Sequence, residues 1–313
     1  LLFVAGLVLV LASFVNAASA VAASPSPHAG QVPGYWLVGS DGGVFAFNAP
    51  FEGSAAPSSF SPGLCGFAFG PSINISAASL ANSGQVLSDD NCVGLVRTGT
   101  NAGYWVANFG SLPSAFGSAA DPGQLGCTGL NGATFGWTGI AATPSSRGFF
   151  LVSWNGGVLG CGDATPVGGV TNLHLVRPIT GIASTPDGKG YWLVGTDGGV
   201  FALGDATFYG STGGQAINGL IVGIVATPDG KGYWLVGSDG GVYSFGDATF
   251  YGSMGGQKLS QPVAGMAANP DGPGYWLVAT DGGVFAFGGA PYEGSLAGMR
   301  LNAPIAGMTA VPN

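Results

Sequence analysis

The tetrapeptide Tyr191-Trp192-Leu193-Val194 returns as Tyr233-Trp234-Leu235-Val236 and as Tyr275-Trp276-Leu277-Val278, at intervals of 42 residues. An earlier copy, Phe149-Phe150-Leu151-Val152, stands 42 residues before Tyr191. Tyr104-Trp105 lies 45 residues before that copy, and Tyr35-Trp36-Leu37-Val38 a further 69 before it. A period of this length restricts the chain to architectures in which one supersecondary unit is stacked on copies of itself.

One unit, from Ile221 to Ser253, reads as four short strands. Ile221–Thr227 alternates small and branched apolar residues and forms the first, and Pro228-Asp229-Gly230 turns the chain. Tyr233–Gly237 and Val242–Phe245 form the second and third, joined by Ser238-Asp239-Gly240-Gly241, where Asp-Gly supplies the positive φ angles of a tight hairpin. Thr249–Gly252 forms a short fourth. The expected fold is all-β: a propeller of four-stranded blades of about 42 residues. A β-solenoid is the competing repeat architecture, but its coils are shorter and lack such hairpins. Before Tyr35 no first strand is present, whereas the chain ends in Pro304–Pro312, a match to the first-strand segment Pro262–Pro270. The C-terminal strand is therefore expected to complete the first blade and close the ring, removing two open sheet edges. The six signature copies give six blades with an insertion in the 69-residue interval; seven blades is the alternative count.

The string GYWLVGSDGGVYSFGDATFYGS at 232–253 resembles a repeat found in exported proteins of actinobacteria, where it is sometimes attached to cell-wall or hydrolytic domains. The hairpin and turn pattern is also similar to blades of quinoprotein and WD-repeat propellers. The resemblance covers nearly all of residues 34–313 and implies the architecture and an extracellular setting. It implies no particular activity, so no catalytic residue comes with it. The second blade, at Tyr104–Ser118, departs from the pattern by being about six residues short.

The opening of the chain agrees with that setting. Residues 1–20 read as the apolar core and cleavage site of a secretory signal with a truncated start, and 21–33 as an Ala/Ser/Pro linker. The apolar run is shorter than the roughly 20 residues of a membrane span, so no span is expected in the mature protein. Cys65, Cys92, Cys127 and Cys161 give an even count that favours two disulfides in an exported chain. Cys65–Cys92 with Cys127–Cys161 is the first choice among three pairings. The net charge is −8 and the seven Lys and Arg residues form no stripe, which argues against nucleic-acid binding.

Near-identical repeats are scaffold, so function is sought where the repeat is broken. Insertions at 55–92 and 119–137 fall on the face that carries the Asp-Gly-Gly turns. There Trp154 and Asn155 stand where Ser238 and Asp239 stand two repeats later, and Trp137 closes the second insertion. Trp154, Asn155, Trp137 and Arg177 are the ligand-binding candidates, as a face that stacks on a sugar or anchors a protein. The alternative is that Trp154 and Trp137 pack together beneath the loops. Asn131, Asp121, Asp89 and Asp90 are the polar residues such a platform would recruit. His174 near Arg177, and the pair Glu52 and Glu293, are the candidates for acid–base catalysis. No G-x-S-x-G or H-E-x-x-H motif is present. The first strands, which would line the central channel, carry a single charged residue, Arg97, unlike the metal-holding axes of propeller hydrolases. Asp41, Asp197, Asp239 and Asp281 recur once per repeat, too few oxygens for a calcium site, and turn geometry accounts for them. No cofactor is expected. The reading is a monomeric, secreted binding module for a glycan, a cell-wall polymer or a protein. The alternatives are a secreted esterase or lactonase built on the inserted loops, and a structural surface or adhesion protein.

Overall fold

A computed structural model of the chain describes residues 33–54, 92–99, 102–129 and 136–312. The expected signal, nearly all of the linker and of the first insertion, and Cys65, Asp89, Asp90 and Asn131 lie outside the described residues.

The chain is all-β, with one short helix among the described residues. It runs through β1 (Gly34–Gly39), β2 (Val44–Phe47), β3 (Cys92–Arg97), β4 (Gly103–Asn108) and β5 (Ser114–Gly117) to the helix α1 (Pro122–Leu125). Then come β6 (Cys127–Thr128), β7 (Trp137–Ala142), β8 (Phe149–Ser153), β9 (Val158–Cys161), β10 (Ile179–Ser184), β11 (Gly190–Gly195) and β12 (Val200–Gly204). β13 (Ile221–Ala226), β14 (Gly232–Gly237), β15 (Val242–Gly246), β16 (Val263–Ala268), β17 (Gly274–Ala279), β18 (Val284–Gly288) and β19 (Ile305–Val311) complete it. These strands make six antiparallel sheets: β19-β1-β2, β3-β4-β5, β6-β9-β8-β7, β10-β11-β12, β13-β14-β15 and β16-β17-β18, numbered 1 to 6 below. The C-terminal strand joins the N-terminal one, with Gly34 opposite Val311 and Leu37 opposite Met308.

The Tyr-Trp-Leu-Val signature explains why each central strand is buried along its whole length. Side chains alternate across a strand, so Tyr and Leu face one neighbouring sheet while Trp and Val face the other. Tyr35 and Leu37 pack with Trp276 and Val278 of sheet 6. Trp36 and Val38 pack with Leu95, Tyr104 and Val106 of sheet 2. The same two-sided packing recurs between sheets 2 and 3, 3 and 4, 4 and 5, and 5 and 6.

Backbone hydrogen bonds repeat the relation. The first residue of each inner strand donates to the residue that follows the central strand of the preceding sheet. The pairs are Cys92 to Ser40 (3.0 Å), Trp137 to Phe109 (2.9 Å), Ile179 to Trp154 (2.8 Å), Ile221 to Thr196 (2.9 Å), Val263 to Ser238 (2.9 Å) and Ile305 to Thr280 (2.8 Å). In sheets 2 to 6 a bulge directly after that first residue shifts the register of the strand. The inner strands also touch one another in the order β3, β7, β10, β13, β16, β19 and back to β3. Their approach is tightest between β7 and β10, where a methyl group on Gly139 would lie 3.1 Å from the Cα of Gly181.

The expectation of four-stranded blades is corrected. Five of the six sheets have three strands. The fourth segment is present, but side chains hold it instead of a ladder. Trp234 Nε1 donates to Thr249 O (2.9 Å), Tyr275 Oη donates to Gly252 O (2.5 Å), and Tyr251 N donates back to Tyr275 Oη (3.2 Å). With its polar groups met by the indole and the phenol, the segment has no need of strand partners.

Candidate functional site

The connections leaving sheets 3, 4, 5 and 6 rest on the hairpin turn of the sheet they leave. Val170 N donates to Gly156 O, Thr212 N to Gly198 O, Met254 N to Gly240 O and Leu296 N to Gly282 O, at 2.9–3.1 Å. Turns and connections therefore share one face. The turns are built by their Asp residues: Oδ1 of Asp41, Asp197, Asp239 and Asp281 accepts the N–H two residues on, each at 3.0 Å. This is the local bonding that favours Asp in such turns. Asn155 does the same work in sheet 3, accepting from Gly157 N (3.2 Å) and Ser153 Oγ (2.6 Å). Among the described residues no three His, Cys, Asp or Glu side chains converge to hold a metal ion.

At the position following the central strand, sheets 1, 4, 5 and 6 carry Ser40, Thr196, Ser238 and Thr280. Sheets 2 and 3 carry Phe109 and Trp154 instead. The two aromatics meet over Gly136, whose carbonyl accepts from Trp154 N (3.1 Å) and which precedes Trp137, the donor to Phe109 O. Gly136 has φ +130°, and a methyl group there would lie 2.8 Å from Trp154 Cδ1 and 3.3 Å from Phe109 Cζ. Only glycine lets both rings close on the backbone at this point. Trp154 remains 49% exposed. The connection that ends at Ile179, the residue donating to Trp154 O, exposes Leu173 (50%) and Val176 (85%). His174 and Arg177 lie exposed on the same connection. The result is a flat aromatic surface, two apolar side chains and two basic groups on one turn and the connection bonded to it.

Trp137 does not belong to this surface, and the expectation that it binds ligand is corrected. It is 1% exposed and packs with Trp105, Phe149, Leu151, Leu159 and Cys161. It occupies the first position of an inner strand, where the other sheets place Ile, Val or Cys, and that position points into the core. Among the described residues its indole N–H has no partner. Asp121 is also accounted for locally: its Oδ1 accepts Gly123 N (2.9 Å) and caps α1. Phe109 was missed by sequence reasoning. Setting Tyr104-Trp105-Val106-Ala107-Asn108-Phe109 on Tyr233-Trp234-Leu235-Val236-Gly237-Ser238 exposes the exchange of serine for phenylalanine.

The catalytic candidates are scattered. His174 makes no hydrogen bond or ion pair among the described residues. Glu293 lies at the junction of sheets 6 and 1, its N–H donating to Tyr35 Oη (3.1 Å). Glu52 lies at the next junction, its Cγ against Gly117 of sheet 2. Arg97, at the far end of β3, has its guanidinium pKa lowered by burial, a shift that Asp271 opposes.

The opposite face carries the turns between inner and central strands, and its cations are paired. Lys189 meets Asp187 (2.8 Å), Lys231 meets Asp229 (3.1 Å), and Arg147 approaches Asp163 (3.7 Å). Hydrogen bonds from Lys231, first from its backbone N–H, lower Asp229 to a pKa of about 2. Cys127 and Cys161 are bonded as expected and stand directly opposite each other in the β6–β9 ladder. The other expected pair involves Cys65, outside the described residues. Among the described residues no helix is long and apolar enough to cross a membrane. No protein-family model matches the chain, and no curated protein is similar to it.

Proposed function

We propose that this chain is an exported six-bladed β-propeller that serves as a binding module, its ligand seated on Trp154 and Phe109. The six equivalent inter-sheet bonds, with Ile305–Thr280 among them, support ring closure by the C-terminal strand. A cross-strand disulfide between Cys127 and Cys161 fits an oxidising, extracellular location. The ligand is a glycan, a cell-wall polymer or a protein.

The observation that carries the binding reading is the placement of Trp154. A half-exposed tryptophan replaces the hydroxyl residue of the scaffold, beside a second aromatic that replaces another. Large aromatics held by backbone on a rigid scaffold are the anchors that stacking and protein docking use. The hydrolase reading lacks a comparable observation, since among the described residues His174 has neither a nucleophile nor an orienting carboxylate bonded to it.

The test compares the parent with Trp154→Ala and Phe109→Ala on a glycan array, on insoluble cell-wall polymer and on surface-protein extracts. The parent is expected to bind one of these, and Trp154→Ala to weaken that binding by about tenfold or more, the usual size for a buried aromatic anchor. Its melting temperature stays near that of the parent. Unchanged binding in both variants refutes the platform.

A further inference from the structure

On the same face, two sheets away from Trp154, the connections entering and leaving sheet 5 enclose an open cleft of about 530 Å³ around the Asp239 turn. Asn218, Asp239, Gln257, Lys258, Ser260 and Gln261 line it. The connection from sheet 4 reaches the cleft because Gly219 packs on the turn, where a methyl group would lie 2.6 Å from Asp239 N. Residues bearing three carboxamides, a carboxylate, an ammonium and hydroxyls thus line one concavity.

Two comparisons within the molecule set this cleft apart. The first is with its own repeats. The position of Lys258 is Ala216 in sheet 4 and Arg300 in sheet 6, and that of Gln261 is Gly219 and Ala303. The position of Gln257 is Gln215 and Met299, so of these three sheets sheet 5 alone brings the full polar set together. The second comparison concerns charge. Lys189 and Lys231 on the opposite face are each held by a carboxylate of their own turn. Lys258 has no ion pair among the described residues, although Asp239 shares its cleft. Among the described residues this ammonium is thus held by no ion pair of its own, and an anionic ligand can take that place.

We propose that the cleft is a second ligand site, specific for a carboxylated sugar residue. Lys258 binds the carboxylate through a charge-assisted hydrogen bond. Gln257, Gln261 and Asn218 each offer a donor and an acceptor, the pairing that vicinal hydroxyls require. Asp239 spends Oδ1 on its turn and retains Oδ2 as an acceptor. The site is independent of the aromatic platform and stands or falls without it.

The test titrates a uronic-acid tetrasaccharide, and a neutral hexose tetrasaccharide of the same linkage, into the full chain by calorimetry. Lys258→Gln, Gln261→Ala, Arg300→Gln and Trp154→Ala are titrated in parallel. The parent is expected to prefer the uronate by about tenfold, the scale of one charge-assisted contact. Lys258→Gln is expected to abolish that preference and Gln261→Ala to weaken both sugars by about threefold to tenfold, while Arg300→Gln leaves binding unchanged. All four side chains are solvent-facing to a degree that spares the fold, which near-ultraviolet circular dichroism checks. The proposal is overturned if the parent shows no saturable uronate binding at millimolar concentration, or if Lys258→Gln binds as the parent does. Uronate binding lost in Trp154→Ala and kept in Lys258→Gln also overturns it and assigns the sugar to the platform.

Discussion

Replacing Tyr35 by Phe tests the junction between the last sheet and the first with a single oxygen atom. Tyr35 Oη donates to Gly294 O at 2.6 Å and accepts from Glu293 N at 3.1 Å. Tyr233 makes the same two bonds, to Gly210 O at 2.6 Å and from Tyr209 N at 3.1 Å. The difference is sequence distance: 23 residues separate Tyr233 from Gly210, and 259 separate Tyr35 from Gly294. Both phenol rings are fully buried. Either substitution leaves a carbonyl and an N–H without their partner, which costs about 1–3 kcal/mol. In a chain of this size that lowers the melting temperature by about 2–4 °C per kcal/mol. If the ring is closed in solution, Tyr35→Phe and Tyr233→Phe lose the same stability within about 0.5 kcal/mol. The junctions are far apart, so the double variant loses the sum. Urea unfolding of the three variants, read by tryptophan fluorescence and by circular dichroism, measures this directly. A Tyr35→Phe variant as stable as the parent, alongside a destabilised Tyr233→Phe, refutes closure between sheets 6 and 1.

Two further outcomes follow from the same packing. Removing the cross-strand disulfide with Cys127→Ala and Cys161→Ala together frees a loop of 34 residues and is expected to cost about 3–4 kcal/mol by loop-closure entropy, measured by urea unfolding against the oxidised parent. Alkaline pH should destabilise the chain: burial raises the Tyr35, Tyr104, Tyr191, Tyr233 and Tyr275 hydroxyls above their ordinary value of 10.0. Because the unfolded chain then releases protons first, their contribution is fully present below pH 10 and falls as pH rises beyond it, so unfolding midpoints taken from about pH 8 to 11 should hold level and then drop.

The second and third strands of each unit were legible because two local rules agreed on them. The Tyr-Trp-Leu-Val run is too apolar for a surface strand, and the Asp-Gly that follows admits one tight hairpin. The C-terminal strand was legible for a different reason, since β19 copies a strand that the first unit lacks. The fourth strand was misread because a segment such as Thr249–Gly252 has the composition of a strand, and composition does not reveal that an indole and a phenol will take its backbone groups. Trp137 and Trp154 looked alike as tryptophans outside the signature. Counting 42 residues on from Trp137 reaches Ile179, a buried first position, so the distinction was present in the spacing. The cleft at Lys258 was hidden in a sheet whose strands repeat faithfully, because its departures lie in a connection of ordinary length.

Sheet 3 gives up the bonds that hold the other junctions and replaces them with a covalent one. Phe149 and Phe150 stand where the signature has Tyr and Trp. Their rings keep the packing, 5.3 Å from Trp105 and 5.1 Å from Tyr191. Neither can donate to the segments that Tyr35, Tyr233 or Trp234 hold in place. In their stead the segment leaving sheet 2 enters sheet 3 as β6, pairs Thr128 with Gly160 and locks Cys127 to Cys161. A phenol tether holds the segment by one hydroxyl, whereas here a disulfide holds it at the sheet edge. The connection from sheet 2 to sheet 3 is pinned at that edge, while the Trp137–Phe109 bond keeps the face in register. Trp154 and Phe109 both lie against Gly136 at that junction. The junction that carries the new side chains is the one where the phenol tether gives way to a disulfide.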